Sequence, residues 1–218
     1  MPPMEISIDG STVDLDVRDL DGALEAANRH LSTTGRIVVE VEADGRVLMG
    51  DDLEAARTSG VLPAELVLQS ADPRDLASEA LEHVRVGLQE ASRLQVEAAE
   101  SLQRDDLPAA MERISTVVDH WQNVQQVVMQ VGSLIDGDVG TIRVGATSVE
   151  DAVAGLAERL RALRTLLGDR DTVGLADELM YIWPEVCTQW DAMLRAIIDV
   201  VNGHGPGRDT RHAEEATS

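Results

Sequence analysis

The chain contains no phenylalanine and no lysine, one tyrosine, one cysteine and three tryptophans. With aromatics at 2%, the core must be assembled from Leu, Val, Ile, Ala and Met, so each aromatic position stands out. All 18 basic residues are arginine, which excludes a Schiff-base lysine and a P-loop lysine. A single cysteine excludes an internal disulfide and any cysteine-built zinc site. No apolar run approaches the ~18 residues of a membrane-spanning helix. The opening MPPMEISIDG lacks a charged n-region and an apolar h-region, so no signal peptide and a cytoplasmic location are expected.

Forty acidic residues stand against those arginines, giving a net charge of −22. Phosphate backbones require clustered cations, and anionic lipid repels acidic surfaces, so neither nucleic acid nor membrane is an expected partner. A length of 218 residues with 44% apolar content suits one large domain or two small ones with a real core.

Residues 1–70 read as a compact α+β module. Met4, Ile6 and Ile8 alternate with polar residues, Asp9-Gly10 is a hairpin-turn signal, and Val13, Leu15 and Val17 continue the alternation. Asp19 is placed to cap a helix with apolar positions Leu20, Leu24, Ala27 and Leu31, closed by Gly35. Arg36–Glu42 reads as a strand with Ile37, Val39 and Val41 on one face, and Asp44-Gly45 turns it into Arg46–Met49. Asp51 or Asp52 caps a short helix with Leu53 and Ala56, and Leu66–Leu68 is a last strand before a loop at Ser70–Pro73. The order β-β-α-β-β-(short helix)-β resembles the β-grasp, or ubiquitin-like, fold over residues 4–69, through element order and not through a motif. No Gly-Gly ends the module, so the resemblance implies a built-in adaptor and not a conjugated tag. A different α+β arrangement of the same elements is the alternative.

Residues 74–203 read as an antiparallel four-helix bundle. The first helix begins near Asp75, with Ala77, Leu81, Val84, Leu88, Ala91, Ala98 and Leu102 on one stripe, interrupted by Gln95. Arg104-Asp105-Asp106 breaks it, and Pro108 suits the first turn of the next. That helix carries Leu107, Met111, Ile114, Val118, Trp121, Val124, Val128 and Ile135. The glycine-rich 136–147 reads as a flexible loop. Ser148 with Asp151 forms a capping box before Val149, Val153, Leu156, Leu160, Leu163 and Leu167, which Gly168 ends. Asp169 or Asp171 then caps a last helix running to Gly203, and 204–218 reads as a disordered tail.

The helical hairpin SLQRDDLPAAMERI and the closing hairpin LRTLLGDRDTVGLADELMYIWPEVCTQWDAML, with a tryptophan near its end, resemble the FliS-type flagellin export chaperones over about residues 75–197. That resemblance implies a small acidic helical bundle that clasps a helical segment of an export substrate. No contact residue carries over, and the appended N-terminal module departs from the family pattern.

Chemistry is sparse. His30, His83, His120, His204 and His212 pair with no His or Cys at ligand spacing, and His83 and His120 fall off their apolar stripes, so solvated surface is the expectation. DGD at 136–138 and DRDTVG at 169–174 are calcium-loop fragments without the later ligands, and read as turn and cap formers. Glu40 with Glu42, and Glu97 with Glu100, read as ordinary surface acids. Cys187 sits mid-helix without a neighbouring cation and reads as a small buried apolar residue. No cofactor and no metal is expected.

In LADELMYIWPEVCTQW, a helical wheel turns Leu175, Leu179, Trp183, Val186, Trp190, Met193, Leu194, Ile197 and Val201 to one side, with Cys187 at its edge. Tyr181 points the opposite way beside Pro184, among Asp177, Glu178, Glu185 and Arg195. Met180, Ile182 and Ile198 widen the apolar arc to ~160°. Partner binding is therefore expected at Met180, Tyr181, Ile182, Pro184 and Ile198, against the plainer reading of an exposed tyrosine at a proline kink. The function expected is a non-enzymatic interaction module, in its sharpest form a secretion or flagellar chaperone or adaptor holding a helical protein partner. A small enzyme or ligand-binding regulator with a pocket between its two domains is the alternative, and a homodimer the third option.

Overall fold

The computed structural model describes residues 5–15, 17–61, 63–135 and 139–204. Met4, Asp16, the DGD at 136–138 and the tail from 205, with His212, lie outside the described residues. The fold is mixed α+β and divides into two compact units, 1–76 and 77–218.

In the first unit, β1 (Glu5–Ile8), β2 (Ser11–Thr12), α1 (Leu20–Ser32), β3 (Ile37–Ala43), β4 (Arg46–Val47), α2 (Gly50–Thr58) and β5 (Glu65–Ala71) build one sheet ordered β2-β1-β5-β3-β4. β1 and β5 are parallel and the remaining pairs antiparallel. Both hairpins turn on Asp-Gly pairs with two positive φ values, 51° and 77° at Asp9-Gly10 and 50° and 79° at Asp44-Gly45. Turns of this hand match the strand twist. The turn carboxylates also reach beyond their own hairpins: Asp44 accepts the N–H groups of Ala64 and Glu65, and Asp9 accepts the N–H and hydroxyl of Ser70. Those Ser70 bonds, aided by the Arg36 guanidinium, hold the Asp9 carboxyl below its ordinary range. Asp19 caps α1 through the Gly22 N–H at 2.7 Å. Ile6, Ile8, Leu20, Ala23, Ala27, Leu31, Val41, Leu66 and Leu68 form a core without any aromatic.

Several expectations change here. The second strand is only Ser11–Thr12, while Val13, Leu15 and Val17 pack half-buried on the core. Val39 does not share a face with Ile37 and Val41; it is 47% exposed. The β3–β5 register skips it, pairing Val38 with Ser70 and Glu40 with Gln69. That bulge inserts one residue and moves Val38 onto the core face with Val41. Strand β4 stops at Val47, and α2 starts at Gly50, so Asp51 and Asp52 lie in its first turn instead of capping it. The anticipated loop at 70–73 is the end of β5 followed directly by a helix starting at Pro73.

In the second unit, α3 (Pro73–Gln103), α4 (Leu107–Leu134), α5 (Val149–Asp169), α6 (Thr172–Asp177) and α7 (Trp183–Val201) contribute to one apolar core. Glu178–Ile182, between α6 and α7, is a π-helical turn in which the Trp183 N–H reaches the Glu178 carbonyl. Pro184 follows immediately, and the wider turn accommodates a ring that an α-helical ladder would crowd against the carbonyl four residues back. Trp121 packs edge-on against Trp183 and Trp190, with ring centroids 5.4 and 6.1 Å away. Among the described residues, the indole N–H groups of Trp121 and Trp183 are buried without a hydrogen-bond partner.

On α4 the buried stripe is Ala110, Ile114, Val117, Trp121, Val124, Val128 and Val131, whereas Leu107, expected on it, is 48% exposed. The glycine-rich segment expected to be a flexible loop contains, within its described part, a 3-10 turn at Val139–Thr141 and a hairpin of β6 (Arg143–Val144) and β7 (Thr147–Ser148). Helix α5 runs through Gly168 and ends at Arg170, whose φ is 56°.

Candidate functional site

Local sequence places α7 well. All nine residues assigned to the Trp190 side are buried, from Leu175 through Val201. Cys187 is buried as well, and the interruption at Gln95 acquires a reason. The Gln95 amide is fully buried against the thiol, with Nε2 3.6 Å and Oε1 3.7 Å from Sγ. Burial pushes the Cys187 thiol up, away from the thiolate that nucleophilic chemistry needs.

The five expected partner-binding residues differ in exposure. Tyr181 is 69% exposed and Ile182 37% exposed, but Pro184 is half-buried, and Met180 and Ile198 pack against the core. Sixteen residues of helix separate Ile182 from Ile198, ~24 Å at 1.5 Å per residue, too far to flank one docked side chain. The wide apolar arc of α7 is filled from within, because the core receives its flanks as well as its centre. Arg195, expected among the charges around Tyr181, lies fourteen residues further along the helix and is held there by Asp191 at 2.8 Å.

The other anticipated features resolve into structure. His83 is exposed, but His120 is half-buried over Gly87, where an added Cβ would lie 3.0 Å from Nδ1, so it is not simply solvated. Asp171 caps α6 through the Gly174 N–H. Glu97 pairs with Arg93 and Arg113, and Glu40 accepts from Gln69. No group of three His, Cys, Asp or Glu side chains among the described residues is placed to hold a metal ion. No described helix is long and apolar enough to cross a membrane.

The feature that apolar spacing did not reveal lies on α4. From His120 to Ile135 the sequence carries no Asp, Glu or Arg, the longest charge-free run in a chain that is 27% charged. One side of this run, Val124, Val128 and Val131, enters the core. The other side presents Gln122, Gln126, Met129, Gln130, Ser133 and Leu134 to solvent at spacings of 4, 3, 1, 3 and 1. Met129 is 64% exposed.

The chain beyond α4 builds a wall beside this face. Val139 is buried, and the β6–β7 hairpin delivers Ser148, whose hydroxyl caps the Asp151 N–H while Asp151 accepts from Ser148 in return. This reciprocal box holds the Asp151 carboxyl below its usual range. The first turn of α5 is thereby fixed, bringing Val149, Glu150 and Val153 opposite Val128, Met129 and Gly132 across a groove of about 570 Å³. Beside it, the open surface of α4 itself carries Gln126, Met129, Gln130, Ser133 and Leu134. Met129 belongs to both.

Among the described residues that line the groove and the α4 surface beside it, Glu150 is the ionisable one. Acid–base catalysis needs converging titratable groups, and among the described residues no second one converges with Glu150. A mainly apolar groove with Glu150 on one wall, beside an amide-bearing helix surface, is suited to receiving apolar side chains from a docked segment. No family model, curated protein or solved structure matches the chain.

Proposed function

We propose that the chain is a non-enzymatic protein-interaction module whose second unit receives an apolar helical segment along the outer face of α4. The observation that carries this reading is the pairing of a charge-free, solvent-facing stripe with an apolar groove in a chain of net charge −22. Depletion of charge with retained apolar exposure marks the centre of an interface.

On this reading the second unit is a four-helix bundle of α3, α4, α5 and the α6–α7 rod, supported by their common core. The first unit is a β-grasp module, supported by the strand order β2-β1-β5-β3-β4 with its parallel β1–β5 pair, and serves as an adaptor. Acidity and the hairpin of long helices favour the export-chaperone version of the role. The receiving surface moves from the Tyr181 region to α4.

A photo-crosslinking amino acid at position 129, compared with one at the equally exposed Val173 on α6, tests the reading in native lysate. Protein adducts are expected from position 129 well above those from 173. Equal yields from the two positions would overturn it.

A further inference from the structure

We infer that the segment received by the α4 face is the α4 of a second copy of this chain, packed antiparallel about a two-fold axis near Met129. This rests on the reading of that face as a docking surface and names its occupant.

Charge argues for self-pairing. Two copies of a protein at −22 repel wherever acidic surface meets acidic surface, and like charges held opposite each other oppose association. The run from His120 to Ile135 gives ~24 Å of helix that itself carries no carboxylate, with Glu150 on the facing groove wall the described acid nearest to it. A basic partner would gain little from a stripe without acids, whereas an equally acidic partner meets no carboxylate along it.

Shape points the same way. A two-fold interface uses one patch on both copies, so that patch must carry both the projection and the recess. Met129 projects into solvent and borders the groove of about 570 Å³ between α4 and the first turn of α5. With the axis near Met129, each methionine enters the groove of the other copy and Gln126 comes close to Ser133 across the seam. Neutral amides close the rim by hydrogen bonding without adding charge. A stripe ~24 Å long and ~10 Å wide is small for a specific interface, so association is expected at micromolar concentrations.

Light scattering of the full chain across low to high micromolar concentrations is the test. The wild type should approach twice the monomer mass. Met129→Glu and Met129→Arg should each weaken association about tenfold or more, because like charges then meet at the axis. An equimolar mixture of the two variants should restore the dimer, which also shows that neither has unfolded. A wild type that stays monomeric throughout, or a dimer indifferent to both variants, overturns the inference. If the wild type is monomeric while position 129 still crosslinks to a protein of another mass, self-pairing falls and the docking surface stands; a monomer without adducts removes both.

Discussion

α4 and α7 meet at the tryptophan cluster and treat their outer faces in opposite ways. α7 turns the Trp190 side of its apolar arc into the core, leaves Val200 partly exposed and sets Glu185, Arg195 and Asp199 on its outside. The second half of α4 buries an equally regular valine stripe, yet its outside carries amides, Ser133, Met129 and Leu134 without one charge. Apolar periodicity identifies the inward face of both helices. Only the charge content of the outward face separates them, and in so acidic a chain a neutral exterior is the rarer property.

The same chemical change on the two helices should break this comparison most sharply. Met193→Glu, at a position with no exposure, places an unpaired carboxylate in the core and should cost about 4 kcal/mol or more, read as loss of the cooperative urea transition. A variant that melts like the wild type would mean that α7 does not face inward. Trp183→Ala, beside Trp121, should cost about 3–5 kcal/mol in the same measurement. Ser148→Ala removes the cap that fixes the α5 wall of the groove and should cost about 1 kcal/mol, concentrated in faster hydrogen exchange in the first turn of α5. Met129→Glu should leave stability within about 0.5 kcal/mol, since its side chain is solvent-exposed, and its effect should fall on association alone.

The groove wall also responds to pH in a set direction. Ser148 lowers the folded-state pKa of Asp151. Its carboxylate therefore contributes fully above the unfolded value of about 4, and that contribution is lost as pH falls through the lowered folded value. Protection from exchange in the first turn of α5, taken relative to the intrinsic rate at each pH, should fall below about pH 4 in the wild type and show no such step in Asp151→Asn. A step that persists in the variant would assign it to another carboxylate.

What the sequence made legible was local chemistry. Asp9-Gly10, Asp44-Gly45, the Asp19 cap and the Ser148–Asp151 box are determined within four residues, and each forms as expected. What it hid were changes of phase. The bulge at Val39 depends on how β3 registers against β5, and the π turn at Glu178–Ile182 depends on Pro184 together with the core that α7 must fill. Gln95 looked like a break in a stripe because its partner, Cys187, lies 92 residues away. The α4 face escaped a search for apolar spacing because its signal is an absence, sixteen consecutive residues without charge. A wheel gives direction but not how wide an arc the core accepts, and Met180 and Ile198 pack partly buried against it.

The tryptophan cluster has one more consequence. Trp121, Trp183, Trp190 and Tyr181 all belong to the second unit, and residues 1–76 hold no aromatic side chain. Near-ultraviolet absorption and intrinsic emission therefore originate wholly in the helical unit, leaving the sheet-bearing unit optically dark. Emission followed through a denaturant series, set against backbone dichroism of the whole chain, would separate the unfolding of the two units without a label or a cut.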